Sequence, residues 1–342
     1  EKVRKAKYDL NDDAIRPYFK LENVRDGIFM LCEKLYGLKF RENEYIPVYD
    51  HDAVAYEVYD QGEVIGILYL DYFTRESKRG GAWMTEFRSQ HKTKDDKNVL
   101  PVVSLVLNYS RPVGSTPCLL NFDETETFFH EFGHGLHGLL SKCKYRSLAG
   151  TNVPRDFVEL PSQIMENWAR HPEMLKLYAK HYKTGEIIPD ELIKKIEEAA
   201  NYGQGFVNTE LIAASLLDMD YHVLESPQMD NPIEFENESM AKYGLIPEII
   251  SRYRSPYFQH IFASAAGYSA GYYSYTWSAV LDADAFELFK QKGIFDKATA
   301  QSFRENILEK GNTEDVAVIY KRFRGQDPNI KPLLRNRGLL ED

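Results

Sequence analysis

The pentapeptide His130-Glu131-Phe132-Gly133-His134 restricts the fold more than any other part of the chain. Two imidazoles four residues apart reach one ion only if the segment is helical, because positions i and i+4 then share a face. The apolar residues around the motif, Phe128, Phe129, Phe132, Leu136 and Leu139, carry the same periodicity. They predict a largely buried helix over 122–142, with its cap at Asn121 or Asp123. On that helix Glu131 projects toward the ion, where a carboxylate can act as general base on a bound water. The competing reading is a pair of satisfied helix histidines.

A catalytic zinc takes three protein ligands and keeps one position open. His137 lies one turn beyond His134 but on a rotated face. Position 137 is not Gly and position 140 is Leu, which excludes the longer metzincin pattern. His137 therefore reads as a packing residue or an indirect support. The better third ligand is Glu159, 25 residues beyond His134 in DFVELPSQ, which leaves room for a loop and a second helix. Spacing alone leaves Glu159 equally readable as an exposed carboxylate at a helix N-terminus. Gln163, Glu166 and Asp123 are candidate acceptors for the outward ring nitrogens of ligating histidines.

The remainder of the chain reads as mostly α with a small β-sheet. Residues 10–35 are helix-like, and 53–59, 64–72 and 99–107 read as strands. After Pro117 the pattern is helical: 155–171, 172–183, 189–201, 205–224, 233–242, 269–289, 297–309 and 312–323. A β-containing subregion over 36–120 is thus expected before a helical one over 121–342, all within one catalytic region spanning 1–342. The segment AAGYSAGYYSYTW, 265–277, stands apart, with glycines and tyrosines where a helix would carry aliphatics. It reads either as a mobile strip lining a cleft or as an aromatic core patch.

A net charge of -10 argues against a nucleic-acid surface, and no apolar run is long enough to span a membrane. Cys32, Cys118 and Cys143 read as buried free thiols.

The strings HEFGHGLHGLL, DFVELPSQIMENWARHPEML and YFQHIFASAAGYSAGYYSYTW together resemble the M3 (thimet oligopeptidase-like) metallopeptidases. The resemblance runs from about residue 71 to 339 and is strongest toward the branch that removes C-terminal dipeptides. It implies a zincin (gluzincin) catalytic region with an HExxH helix and a downstream Glu helix. It implies one zinc per chain on His130, His134 and Glu159, with Glu131 catalytic. His260 matches a histidine associated with transition-state stabilisation, and Tyr268, Tyr272 and Tyr275 match tyrosines of a flexible Gly-Tyr loop. Oligopeptides are the implied substrates, with internal cleavage of short peptides as the alternative and a catalytically dead peptide-binding scaffold as the reading from another class.

Such proteins are about twice this length, so the resemblance implies the C-terminal half of a longer chain, partnered by its own N-terminal half. A cytoplasmic address is expected, with a periplasmic one as the alternative because the native N-terminus is expected to be missing. Substrate backbone is expected to pair with a strand near 99–108. Arg252 and Arg254 are candidate clamps for a substrate carboxylate, against the reading of surface loop arginines.

Overall fold

A computed structural model describes residues 3, 7–8, 12–226, 231–264 and 267–340. Its five-stranded sheet has the order β1-β2-β3-β7-β4. The strands are β1 (Lys39–Glu42), β2 (Ala53–Asp60), β3 (Glu63–Phe73), β4 (Trp83–Arg88) and β7 (Val102–Tyr109). The two-residue strands β5 (His91–Lys92) and β6 (Asn98–Val99) pair only with each other. β2 and β3 form a hairpin through Gln61 and Gly62, both at positive φ (51° and 90°), the twist-matched turn for antiparallel strands.

β3 pairs parallel with β7, and β4 closes the other side of β7 antiparallel. The expected pairing strand near 99–108 is therefore an interior strand, with both backbone edges taken. Its nearly unbroken apolar run, VVSLVLNY, is what an interior strand buried on two faces requires. On this side of the sheet the edge belongs to β4, which sequence periodicity does not mark as a strand.

α1 (Leu21–Tyr36) covers one part of the sheet, and α2 (Phe122–Leu139) packs against β7 on one side and α3 (Leu160–Arg170) on the other. The helix expected over 10–35 is broken: a short helix Asp12–Ile15, a 3₁₀ turn Arg16–Tyr18 with Pro17, and only then α1. Proline cannot supply the N–H that a continuous helix would need there.

α2 begins at a reciprocal cap. Asn121 Oδ1 accepts from the Glu124 amide at 2.7 Å, and Glu124 Oε2 accepts from the Asn121 amide at 2.8 Å. Asp123 caps nothing. Phe128, Phe129, Phe132, Leu136 and Leu139 are all buried in one main core that runs from Ile15 to Phe323. At roughly 1.5–3 kcal/mol per fully buried large apolar side chain, this face holds α2 in place with or without an ion.

α4 (Gln204–His222) lies outside that main core, and α5 (Ser274–Lys292) packs on α3. Trp168 of α3 donates Nε1–H to the Ile294 carbonyl at 2.9 Å and meets Phe286 and Phe289 edge-on. The three cysteines are buried and free. Among the described residues, no helix is long and apolar enough to cross a membrane.

Candidate metal centre

The helix expected over 155–171 is interrupted at its most important residue. Arg155–Val158 forms one turn, Glu159 is the joint (φ -84°, ψ -6°), and α3 starts at Leu160 with Pro161 in its first turn. A proline there has no N–H to give and its ring crowds the preceding turn, so the helix restarts rather than continues. The break turns the Glu159 side chain inward, to 3% exposure, across the face of α2.

Glycine at 133 allows that crossing. A Cβ on Gly133 would stand 2.1 Å from the Pro161 carbonyl oxygen and 2.6 Å from Ser162 Cα, so no side chain fits while the helices keep this spacing. The result is that Glu159 Oε2 lies 3.3 Å from His130 Nε2 and 3.1 Å from His134 Nε2. A tetrahedral ion with bonds of about 2.0–2.1 Å separates its ligand atoms by about 3.3–3.4 Å. Two imidazoles and a carboxylate at these distances fit zinc in donor type and in size.

The ligands are held from behind. Glu166 Oε1 lies 2.7 Å from His130 Nδ1, which places the proton on Nδ1 and leaves the Nε2 lone pair for an ion. Glu159 accepts from Ser162 Oγ at 2.9 Å on Oε2 and from the Tyr268 hydroxyl at 2.7 Å on Oε1. Of the three acceptors expected from sequence, Glu166 alone meets a ring nitrogen among the described residues. Gln163 donates instead to the Tyr275 carbonyl at 3.2 Å. Asp123 lines a separate cavity of about 680 Å³ beside Glu126 and Arg170. His137 is fully buried, with neither ring nitrogen bonded among the described residues.

Electrostatics follow from burial set against partners. Burial pushes the Glu159 carboxyl up, but His134 and His130 outweigh it and hold the group well below the usual carboxylate range. Burial disfavours a charged His130, yet Glu159 and Glu166 raise its proton affinity well above the ordinary value. Glu131 differs: burial raises its carboxyl despite the opposing His130 and His134, and its Oε2 is buried with no partner among the described residues. A carboxylate with an unengaged oxygen beside a ligand trio is placed to accept a proton.

The cavity over these residues measures about 320 Å³ and is lined also by Ala82, Trp83, Met84, Thr151, Arg155, Tyr268 and Tyr275. Tyr268 and Tyr275 stack with ring centroids 5.0 Å apart. Tyr272 is not part of the lining but stands behind it, in a small core with Ala214, Phe258 and Ile261 and 5.3 Å from Tyr275 between ring centroids. His260 lies behind the tyrosines, 4.8 Å from Tyr253, 5.5 Å from Tyr272 and 6.0 Å from Tyr268 between ring centroids. Residues 265–266 of the Gly-Tyr strip lie outside the described residues.

Arg252 is bonded to Glu210 at 2.9 Å and Arg254 is paired with the buried Glu236 at 2.5 Å, so neither arginine lines the cavity. Arg155 does, with its guanidinium 4.8 Å above the Tyr268 ring. Sequence reasoning missed it, although it stands four residues before Glu159, one helical turn from a suspected ligand.

Comparison with known proteins gives the family. The sequence profile of Peptidase family M3 matches residues 1–339. The chain is 43% identical to the dipeptidyl carboxypeptidase of Escherichia coli K12 over 99% of its own length and 50% of the relative's. It is 40% identical to oligopeptidase A of the same organism, again over 99% and 50%. The chain spans about half the length of these curated relatives. Among solved structures it is similar in fold to an M32 carboxypeptidase from Deinococcus radiodurans R1, with TM-score 0.54, 15% identity, and coverage of 94% of this chain and 59% of that one. A carboxypeptidase from Pyrococcus furiosus is similar at TM-score 0.52 and 16% identity, over 93% of this chain and 58% of that one.

Proposed function

The chain belongs to peptidase family M3, and on that premise we propose that it carries the zinc-dependent centre of a peptidase that releases C-terminal dipeptides from oligopeptides. The observation that carries this reading is the Glu131 oxygen, buried and without a partner among the described residues, beside His130, His134 and Glu159. Zinc held by His130 Nε2, His134 Nε2 and Glu159 Oε2 would polarise the scissile carbonyl and lower the pKa of the attacking water. Glu131 takes the proton from that water at Oε2 and returns it to the leaving amine.

Tyr275, on the cavity wall, supplies a hydroxyl donor to the developing oxyanion, and Tyr268, whose own hydroxyl is given to Glu159, braces it by stacking. His260 and Tyr272, packed behind them, hold those rings in place. Asp123 has no role in the centre on this reading, and Gln163 acts by fixing the Tyr275 backbone.

Substrate backbone pairs with the free edge of β4, whose residues Trp83 and Met84 line the cavity. Pairing through main-chain groups makes recognition tolerant of side chains. Release of dipeptides also requires a cation for the terminal carboxylate. Arg155, which lines the cavity, takes that role; Arg252 and Arg254 do not line it. In a protein of the relatives' length, the other half would supply the opposite wall of the cleft.

The similarity to oligopeptidase A, nearly as high as that to the dipeptidyl carboxypeptidase, favours internal cleavage as the second reading. A peptide offered as free acid and as C-terminal amide separates the two. Loss of cleavage on amidation supports dipeptide release, and equal cleavage supports the endopeptidase. Glu131→Gln should retain zinc and abolish turnover; full activity in that variant would end the peptidase reading.

A further inference from the structure

The middle of the tyrosine strip is bonded to a buried carboxylate outside the catalytic cavity. Asp218 lies on α4 and is fully buried, an expensive place for a carboxylate unless its oxygens are bonded. Its two oxygens reach 52 and 54 residues along the chain: Oδ1 accepts from the Ala270 amide at 2.9 Å, and Oδ2 from the Tyr272 amide at 2.8 Å. His222, one turn further along α4, places Nδ1 2.8 Å from Asp218 Oδ1 and 2.8 Å from the Asp218 carbonyl. With two acceptors facing it, that nitrogen carries the proton and orients the carboxylate.

Between the two clasped amides the backbone is constrained. Ala270 has φ +52°, a left-handed conformation that a residue with a Cβ keeps only when its surroundings impose it. The Gly271 amide bonds the Tyr268 carbonyl at 2.8 Å, which closes a turn over the clasp. The residues at its two ends face the metal centre: Tyr268 donates to Glu159, and Tyr275 stacks on Tyr268. Ser269 Oγ also donates to the Ile261 carbonyl at 2.7 Å, on a neighbouring short helix, and Gln163 of α3 donates to the Tyr275 carbonyl at the far end of the strip.

We propose that Asp218 is a positioning residue: its carboxylate clasps the Ala270 and Tyr272 amides to α4 and thereby sets Tyr268 and Tyr275 against the metal centre. This rests on the roles given to those tyrosines above. Asp218 touches neither substrate nor ion, so it acts on rate by preorganising the stacked pair rather than by binding.

The test compares Asp218→Asn with Asp220→Asn, a change on the same helix whose carboxylate bonds Ser239, Lys242 and Tyr243 instead. Amide hydrogen exchange of the zinc-loaded chain should show Ala270 and Tyr272 protected by at least about tenfold over unstructured rates. Asp218→Asn leaves one amide without an acceptor and should raise exchange over 267–273 by about tenfold, while Asp220→Asn leaves it unchanged. On a free-acid peptide, Asp218→Asn should lower kcat by about 10- to 100-fold with KM within about threefold, and zinc occupancy should be retained.

Unchanged exchange over 267–273 in a folded Asp218→Asn overturns the clasp. Faster exchange with unchanged kcat overturns the positioning role. If Asp218→Asn fails to fold, the unsubstituted chain decides, since unprotected Ala270 and Tyr272 amides overturn the proposal and protected ones support it. Absence of turnover in every form, with these amides protected, refutes the peptidase reading and leaves the clasp standing.

Discussion

The Tyr268 hydroxyl donates to Oε1 of Glu159 at 2.7 Å, the oxygen that does not face the two imidazoles. Oε2 is thereby left toward His130 and His134, at 3.3 and 3.1 Å. One residue of the mobile-looking strip therefore supports a ligand, while its stacked neighbour Tyr275 touches none among the described residues. The two tyrosines should consequently behave differently when each loses its hydroxyl.

Tyr275→Phe should lower kcat by about 10²–10³ with KM and zinc affinity nearly unchanged, as expected for a donor used mainly in the transition state. Tyr268→Phe should also weaken zinc binding, by about 10- to 100-fold, because it frees Glu159. Steady-state kinetics and competition against a chromophoric chelator read the two effects separately. Equal zinc affinities in the two variants would contradict the distinction.

Glu166→Gln keeps the shape behind His130 but removes the charge from its Nδ1 partner. Zinc affinity should fall by about 10- to 100-fold, whereas Gln163→Ala, which disturbs only the Tyr275 carbonyl contact, should alter turnover before affinity. The same chelator competition measures both.

Gly133→Ala drives a methyl group into the Pro161 carbonyl. Overpacking of this kind costs about 1–3 kcal/mol, and the obstacle here is backbone that cannot rotate away. The melting temperature should drop by several degrees, and zinc affinity should fall with it as α2 and α3 separate. Gly133→Ala with native stability would show that the crossing is looser than described.

Acid stability should report on His137. Burial holds its pKa down to about 3, below the ordinary value near 6.5. The unfolded chain therefore binds a proton that the folded chain refuses between those values. The contribution is complete above about pH 6.5 and is lost as pH falls toward 3, at about 1.4 kcal/mol per unit. Urea denaturation of chelator-treated protein from pH 7 to 4 should give a shallower acid decline for His137→Leu than for the unsubstituted chain. Parallel declines would mean that His137 is hydrated or bonded in solution.

Arg155→Ala should reduce kcat/KM on free-acid peptides by about tenfold or more while leaving C-terminal amides unaffected. A charge-assisted pair to a carboxylate is worth about 1.5–3 kcal/mol. Equal loss on both peptides would assign Arg155 to its contact with the Tyr268 ring rather than to substrate.

What could be read from sequence divides along physical lines. His130, Glu131 and His134 were legible because a four-residue spacing on an apolar helix has one geometric meaning. Glu159 was not legible from spacing, since its orientation comes from the helix break before Pro161 together with the crossing that Gly133 allows. β1 and β4 escaped notice because KFRE and WMTEFR are half-exposed edge strands without clean alternation. The long helices after Pro117 follow their apolar periodicity, but Gln259–Phe262 and Lys331–Asn336 are too short to show one. Asp218 looks like any acidic residue on a helix; its partners are backbone amides, which carry no residue-type signal.

The joint at Glu159 has one more consequence. Because His130, Glu131, His134 and Glu159 belong to two helices locked against each other at Gly133, the ion and its proton acceptor move as one body. Tyr268 hangs instead from α4, through the Ala270 and Tyr272 amides, while Tyr275 stands in the first turn of α5, which packs on α3. Tilting α4 by a small angle would part Tyr268 from Tyr275 while His130 and His134 keep their places on α2. A fully metallated preparation could thus be idle, and the ratio of activity to bound zinc would measure how that stack is set.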